Sequence, residues 1–167
     1  MATTYTLINS TTVGSGGTSS ITFSSIPSTY KDLLVKVSSR STEASAWDWF
    51  NISFNGSTSN FAWLSLWADT SPASGGGSGV VIPYGGTAAN ATANTFGNTE
   101  IYIPNYASSN YKSVSADAVG ENNSSTAGRS LTALLWSNTA AITSLSVNSG
   151  TTFVQYSTFY LYGISNS

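Results

Sequence analysis

The sequence predicts an all-β fold: a two-sheet antiparallel β-sandwich of jelly-roll type, with about ten short strands in one domain over residues 1–167. Apolar residues recur with a period of two along most of the chain, as they do in half-buried strands. No stretch of a dozen residues keeps the i, i+3, i+4 apolar spacing of a helix, and the abundant Ser, Thr, Asn and Gly are weak helix formers. Turn-forming clusters separate the apolar segments at short intervals.

In chain order, strands are predicted at 4–8 and 19–24, followed by STYKD at 28–32, the one local turn with any helical character. Leu33, Val35 and Val37 then point one way while Leu34, Lys36 and Ser38 point the other. Phe50, Ile52 and Phe54 alternate with Asn51 and Ser53 and run into Asn55-Gly56. That dipeptide is the strongest short hairpin signal, because a type I′ turn needs positive φ at both central positions. On the expected returning strand, Trp63, Ser65 and Trp67 alternate with Leu64 and Leu66. Further strands are expected at 79–83, 99–103, 111–119, 130–136, 142–147 and 158–164. The segments ADTSPASGGGSG at 68–79 and YGGTAANATANT at 84–95 read as glycine-rich surface loops on one rim. Within TTFVQYSTFYLYGISNS, at 151–167, residues 158–164 read as a buried closing strand with apolar bulk on both faces. Gly163 interrupts its row there, which suggests a bulge or a close backbone approach.

Composition limits the chemistry. Only 7% of residues are charged, the net charge is -2, and 32 Ser, 22 Thr and 14 Asn supply a hydroxyl- and amide-covered surface. With 40% hydrophobic and 13% aromatic residues there is ample core material, unlike a disordered tract. Cysteine and histidine are absent, which removes the thiolate nucleophile, the commonest general base and the commonest metal ligand. Five cations (Lys31, Lys36, Arg40, Lys112, Arg129) are too few for a nucleic-acid footprint. The start MATTYTLINS lacks the pattern of a secretory signal, and no apolar run approaches the ~20 residues of a membrane span. A soluble product made in the cytoplasm, with no nucleic-acid or membrane partner, is expected.

Among Glu43, Asp48, Asp69, Glu100, Asp117 and Glu121, the nearest candidates for paired acid–base chemistry are Asp117 and Glu121. Glu121 falls in a GENN turn, where an acidic residue commonly serves the backbone, so no catalytic residue is assigned. Asp117, Glu121, Asn122 and Asn123 match no hard-cation loop, and the glycines at 75–77 lack the Lys-Ser/Thr of a phosphate loop. No cofactor or metal is expected. Trp47, Trp49, Trp63 and Trp67 lie on strands flanking Asn55, so they are expected to share a region. Since Leu64 and Leu66 occupy the other face of the same strand, one face is surplus to the core, which usually marks a subunit interface or binding patch. The partner-binding candidates are Trp47, Trp49, Trp63, Trp67 and Tyr84, with Arg40 and Arg129 as charged anchors.

Several stretches carry a resemblance: ITFSSIPSTYKDLLVKVSSRS at 21–41, the FNG at 54–56, IYIPNYASSNYKSVSADAVGENN at 101–123, LLWSNTAAITSLSV at 134–147 and FYLYGIS at 159–165. In this order they resemble small virion-associated jelly-roll proteins of tailed bacteriophages, including those of cyanophages. The resemblance covers most of the chain, is weakest at 68–95, and includes no catalytic residue. It implies a capsid decoration or cement protein of the virion, bound to the major capsid protein or other virion subunits as a homo-oligomer, with a trimer one option. The alternative it leaves open is a tail-fibre or receptor-binding module that recognises host surface glycan through exposed aromatics.

Overall fold

The computed structural model describes residues 4–165, and among them every regular element is a strand. In chain order these are β1 (Tyr5–Thr12), β2 (Thr18–Phe23), β3 (Asp32–Ser39), β4 (Trp47–Phe54), β5 (Phe61–Ala68) and β6 (Pro72–Ser78). The second half contributes β7 (Val81–Thr87), β8 (Gly97–Ile103), β9 (Lys112–Glu121), β10 (Ala127–Trp136), β11 (Leu145–Phe153) and β12 (Thr158–Ile164). They form an eight-stranded sheet, β1-β12-β3-β8-β9-β10-β5-β6, and a four-stranded sheet, β2-β11-β4-β7, antiparallel throughout.

This is the two-sheet sandwich the periodicity predicts, with twelve strands. Without the hairpins β5–β6 and β9–β10, the remaining eight strands pair first with last: β1 with β12, β2 with β11, β3 with β8 and β4 with β7. That nesting is the jelly-roll order. Both hairpins add to one side of the same sheet, extending it from four strands to eight.

The core lies between the sheets. Leu33, Val35, Ile101, Leu134, Phe159 and Leu161 of the large sheet meet Phe23, Phe50, Ile52, Phe54 and Val147 of the small one. Its aromatic rings chain together: Phe50, Phe153 and Phe159 stand 5.3 and 4.9 Å apart by centroid, and Phe54, Phe61 and Trp136 form a second group at 5.4–5.9 Å. Edge-to-face and offset-stacked contacts of this kind add to the hydrophobic gain of burial. β7 is the seam between the sheets. The hydroxyls of Thr99 on β8 and Ser130 on β10 donate to the carbonyls of Gly85 and Pro83, so β7 carbonyls that face the large sheet are satisfied across the interior.

Three predictions change. Asn55 and Gly56 do take positive φ, at 53° and 72°, and close a tight turn through the Phe54↔Ser57 bridge. The turn does not join a paired hairpin, however, because β4 lies in the small sheet and β5 in the large one. Asn55 is committed elsewhere: its side chain donates to the Ala141 carbonyl and accepts from the Thr143 and Ser144 amides, while its amide donates to the Ser144 carbonyl. The chain then turns again at Asn60, at φ 64°, and enters the other sheet.

The segment 68–79 is not all loop, since β6 occupies Pro72–Ser78 in unbroken register with β5. Its glycines answer to the large rings of the neighbouring strand: a Cβ on Gly75 would lie 2.8 Å from the Trp67 indole, and one on Gly76 would lie 2.7 Å from the Trp63 carbonyl. Likewise 84–95 begins as strand, and Gly85 and Gly86 lie under the Phe50 ring, where a Cβ would come within 2.5 and 2.6 Å. Composition marked these glycines as surface loop, but close approach of a neighbour explains them better.

At Gly163 close approach is also the explanation. The Tyr30 ring covers it so tightly that a Cβ would sit 2.3 Å from the ring, and the β12–β3 register passes through Gly163 without a bulge. The closing strand lies between β1 and β3, one strand in from the sheet edge, with Phe159 and Leu161 fully buried and Tyr160 and Tyr162 stacked on the outer face.

Candidate interaction surface

The outer face of the eight-stranded sheet carries the surplus apolar surface, and register dictates its layout. On β5, Phe61, Trp63, Ser65 and Trp67 turn toward the sandwich, leaving Leu64 and Leu66 on the outside at 64% and 61% exposure. Leu131 and Leu135 of β10 face out beside them. The row Leu7, Tyr162, Leu34, Tyr102, Ser115, Ala133, Leu64 crosses the sheet from β1 to β5 by successive cross-strand pairing. Large side chains therefore stand at both ends of the row, with Ser115 and Ala133 as a low floor between them. The depression over that floor has a volume of about 520 Å³ and is walled by Leu34, Leu64, Leu66, Tyr102 and Leu131.

The neighbouring row is Tyr160, Lys36, Glu100, Asp117, Leu131, Leu66. Lys36 Nζ lies 2.7 Å from Glu100 Oε1, and Arg129 Nη2 lies 2.7 Å from Asp117 Oδ2. The hydrogen bond and charge of Glu100 push the Lys36 ammonium above its ordinary pKa. The four charges cancel inside the face. Asp32, a buried carboxylate at the start of β3, accepts from the Tyr102 hydroxyl and the Asn105 amide and so fixes Tyr102 at the rim.

The residues singled out from the sequence lie at several places on the molecule. Trp63 and Trp67 are half-buried over β6, with Trp67 meeting Trp49 of the small sheet at 6.1 Å. Trp49 is 46% exposed and borders a depression of about 380 Å³ with Glu43, Ser45 and Asn51. Trp47 lines the same depression, pressed on the backbones of Gly120 and Gly128 and edge-on to Tyr84 at 4.7 Å. Tyr84 holds a left-handed backbone at φ 52°, unusual for a bulky residue, and burial pushes its phenol pKa up. The four tryptophans thus adjoin one another in series, Trp63 and Trp67 over Gly75, Trp67 against Trp49, and Trp49 with Trp47 around one depression.

Arg40 is a structural tie. Its guanidinium donates to the carbonyls of Ala89, Ala91, Thr92 and Thr95 and so fastens the 88–95 turn. Glu121 holds the same turn from the other side, accepting from the Thr92 amide and hydroxyl and from the Asn123 amide. Arg129 is exposed on the outer face as the partner of Asp117. Asp117 and Glu121 are four residues apart on one strand, about 13 Å along the backbone at ~3.3 Å per residue, and their carboxylates are engaged separately, one by Arg129 and the other by Thr92 and Asn123. Among the described residues no three acidic side chains gather as a metal site.

Sequence reasoning passed over Asp32 and counted Lys112 only as one of five cations, yet both are buried. Lys112 is fully buried, and its ammonium donates to the carbonyls of Ser108, Asn110 and Ala140 with the Trp136 ring 5.8 Å away. Burial pulls its pKa below the ordinary value. Lys112 and Trp136 are register partners, so strand pairing of 111–119 with 130–136 was the signal that could have revealed the contact. No protein-family profile, curated protein or solved structure matches the chain.

Proposed function

We propose that this chain is a non-enzymatic structural subunit of a tailed-bacteriophage virion, a capsid decoration or cement protein that works through subunit contacts. The observation behind this reading is the exposed, charge-balanced apolar face of the eight-stranded sheet. Soluble monomers rarely leave contiguous apolar patches above a few hundred Å² uncovered. The inserted hairpins β5–β6 and β9–β10 supply Leu64, Leu66, Leu131 and Leu135, so the additions to the jelly roll are what create most of the leucine surface. A cement protein adds buried area between neighbouring subunits, and rupture of the lattice under internal pressure must break those contacts too. Standard interfaces bury ~1,200–2,000 Å² in total, so many copies stabilise a shell together. The phage setting rests on the sequence resemblance across 21–41, 101–123, 134–147 and 159–165. Copy number in purified virions tests it: densitometry against the major capsid protein is expected to give on the order of hundreds of copies, and a few tens or fewer would overturn it.

A second reading, glycan recognition in a tail fibre, is favoured by Trp49, whose exposed ring borders a depression shared with Trp47, Glu43, Ser45 and Asn51. A glycan array tests it, with Trp49→Ala as the variant that loses any signal.

A further inference from the structure

We infer that the outer face of the eight-stranded sheet is a self-association surface, covered by the same face of a second copy in a two-fold dimer. This deepens the reading above by naming the subunit that meets the face.

Charge points to a like partner. Lys36–Glu100 and Arg129–Asp117 are already closed within one chain, at 2.7 Å each, so the face offers no unpaired charge to an oppositely charged protein. It meets its own copy without net repulsion for the same reason. Shape points the same way. Leu64, Leu66 and Leu131 make a ridge beside the depression floored by Ser115 and Ala133. Under a two-fold axis each ridge enters the other copy's depression, which is the reciprocal contact of an isologous interface. The area suffices: seven strand spacings of ~4.8 Å by eight residues of ~3.3 Å give ~900 Å², against ~800 Å² per partner in a standard interface. A two-fold dimer also presents every other surface twice, as a strap between neighbouring capsomers must.

Light scattering on the purified full chain tests this, using wild type, Leu66→Lys on the face, and Thr22→Lys on the opposite, outer side of the small sheet. Wild type and Thr22→Lys are expected at the mass of two chains, and Leu66→Lys at the mass of one with an unchanged circular dichroism spectrum. If Leu66→Lys fails to fold, Leu131→Gln serves as the second variant. A wild type that stays monomeric at micromolar concentration, or a dimer indifferent to both face variants, overturns the inference. Copy number in virions separates this result from the virion reading: a monomer present in hundreds of copies sinks only the dimer, and a dimer present in a few copies sinks only the decoration role.

Discussion

Glu100 on β8 and Asp117 on β9 are direct cross-strand partners, and each is held from its far side by its own cation, Lys36 or Arg129. Two carboxylates facing one another across a ladder destabilise a sheet, so the flanking cations are what make the pairing tolerable. Removing one cation should expose that repulsion. Arg129→Met is expected to lower stability by about 0.5–1 kcal/mol, the scale of exposed pairs. Asp117→Asn in the same chain should recover most of the loss, as read from a double-mutant cycle by urea unfolding. Equal loss in both backgrounds would mean that the two groups do not interact.

The turn at 88–95 depends on the Arg40 fork. Lysine keeps the charge but cannot reach four carbonyls at once. Arg40→Lys is expected to speed amide hydrogen exchange across 89–95 and to cost about 1.5–3 kcal/mol, the range for hydrogen bonds to a charged group. Exchange confined to its wild-type rate would count against a structural role for Arg40.

Glu121 gives the same turn a pH dependence. Partial desolvation pushes its pKa up, but the hydrogen bonds from Asn123 and Thr92, with the Arg40 charge, outweigh it, and the net shift is below the ordinary 4.5. A carboxylate whose folded pKa is lowered contributes stability above its unfolded pKa and loses it as pH falls through the folded value. Wild type should therefore unfold at higher temperature than Glu121→Gln near neutral pH, and the gap should close below 4.5. A gap that persists in acid would assign the effect to packing.

Gly163 tests the reading of close approach. Alanine there drives a methyl into the Tyr30 ring, so Gly163→Ala is expected to destabilise by ~1–3 kcal/mol, the cost of overpacking a filled site. Adding Tyr30→Ala should remove the clash and make the second substitution less costly than the first. Both are read by thermal melts.

Alternation of Leu33, Val35 and Val37, or of Ile101 with Glu100 and Tyr102, was enough to place strands, because a half-buried strand writes its period into the sequence. Glycine misled the sequence reading in two places. In β6 and β7 it allows Trp63, Trp67 and Phe50 to lie against a strand backbone, and composition alone cannot distinguish that from a mobile loop. Asn55-Gly56 gave its local conformation correctly and its long-range consequence wrongly, since φ is a local property and sheet membership is not. The same limit applied to the surface. Alternation on β5 required one surplus face, but which face depends on where the small sheet lies. The tryptophans turned toward β6 and the interior, while Leu64 and Leu66 were left outside.

The most direct test of the outer face as the contact surface is quantitative mass spectrometry of purified virions assembled with wild type or with Leu64→Lys/Leu66→Lys. Wild type is expected in on the order of hundreds of copies per virion, and the folded double variant at least tenfold depleted. A folded double variant incorporated at the wild-type level would contradict the role of this face.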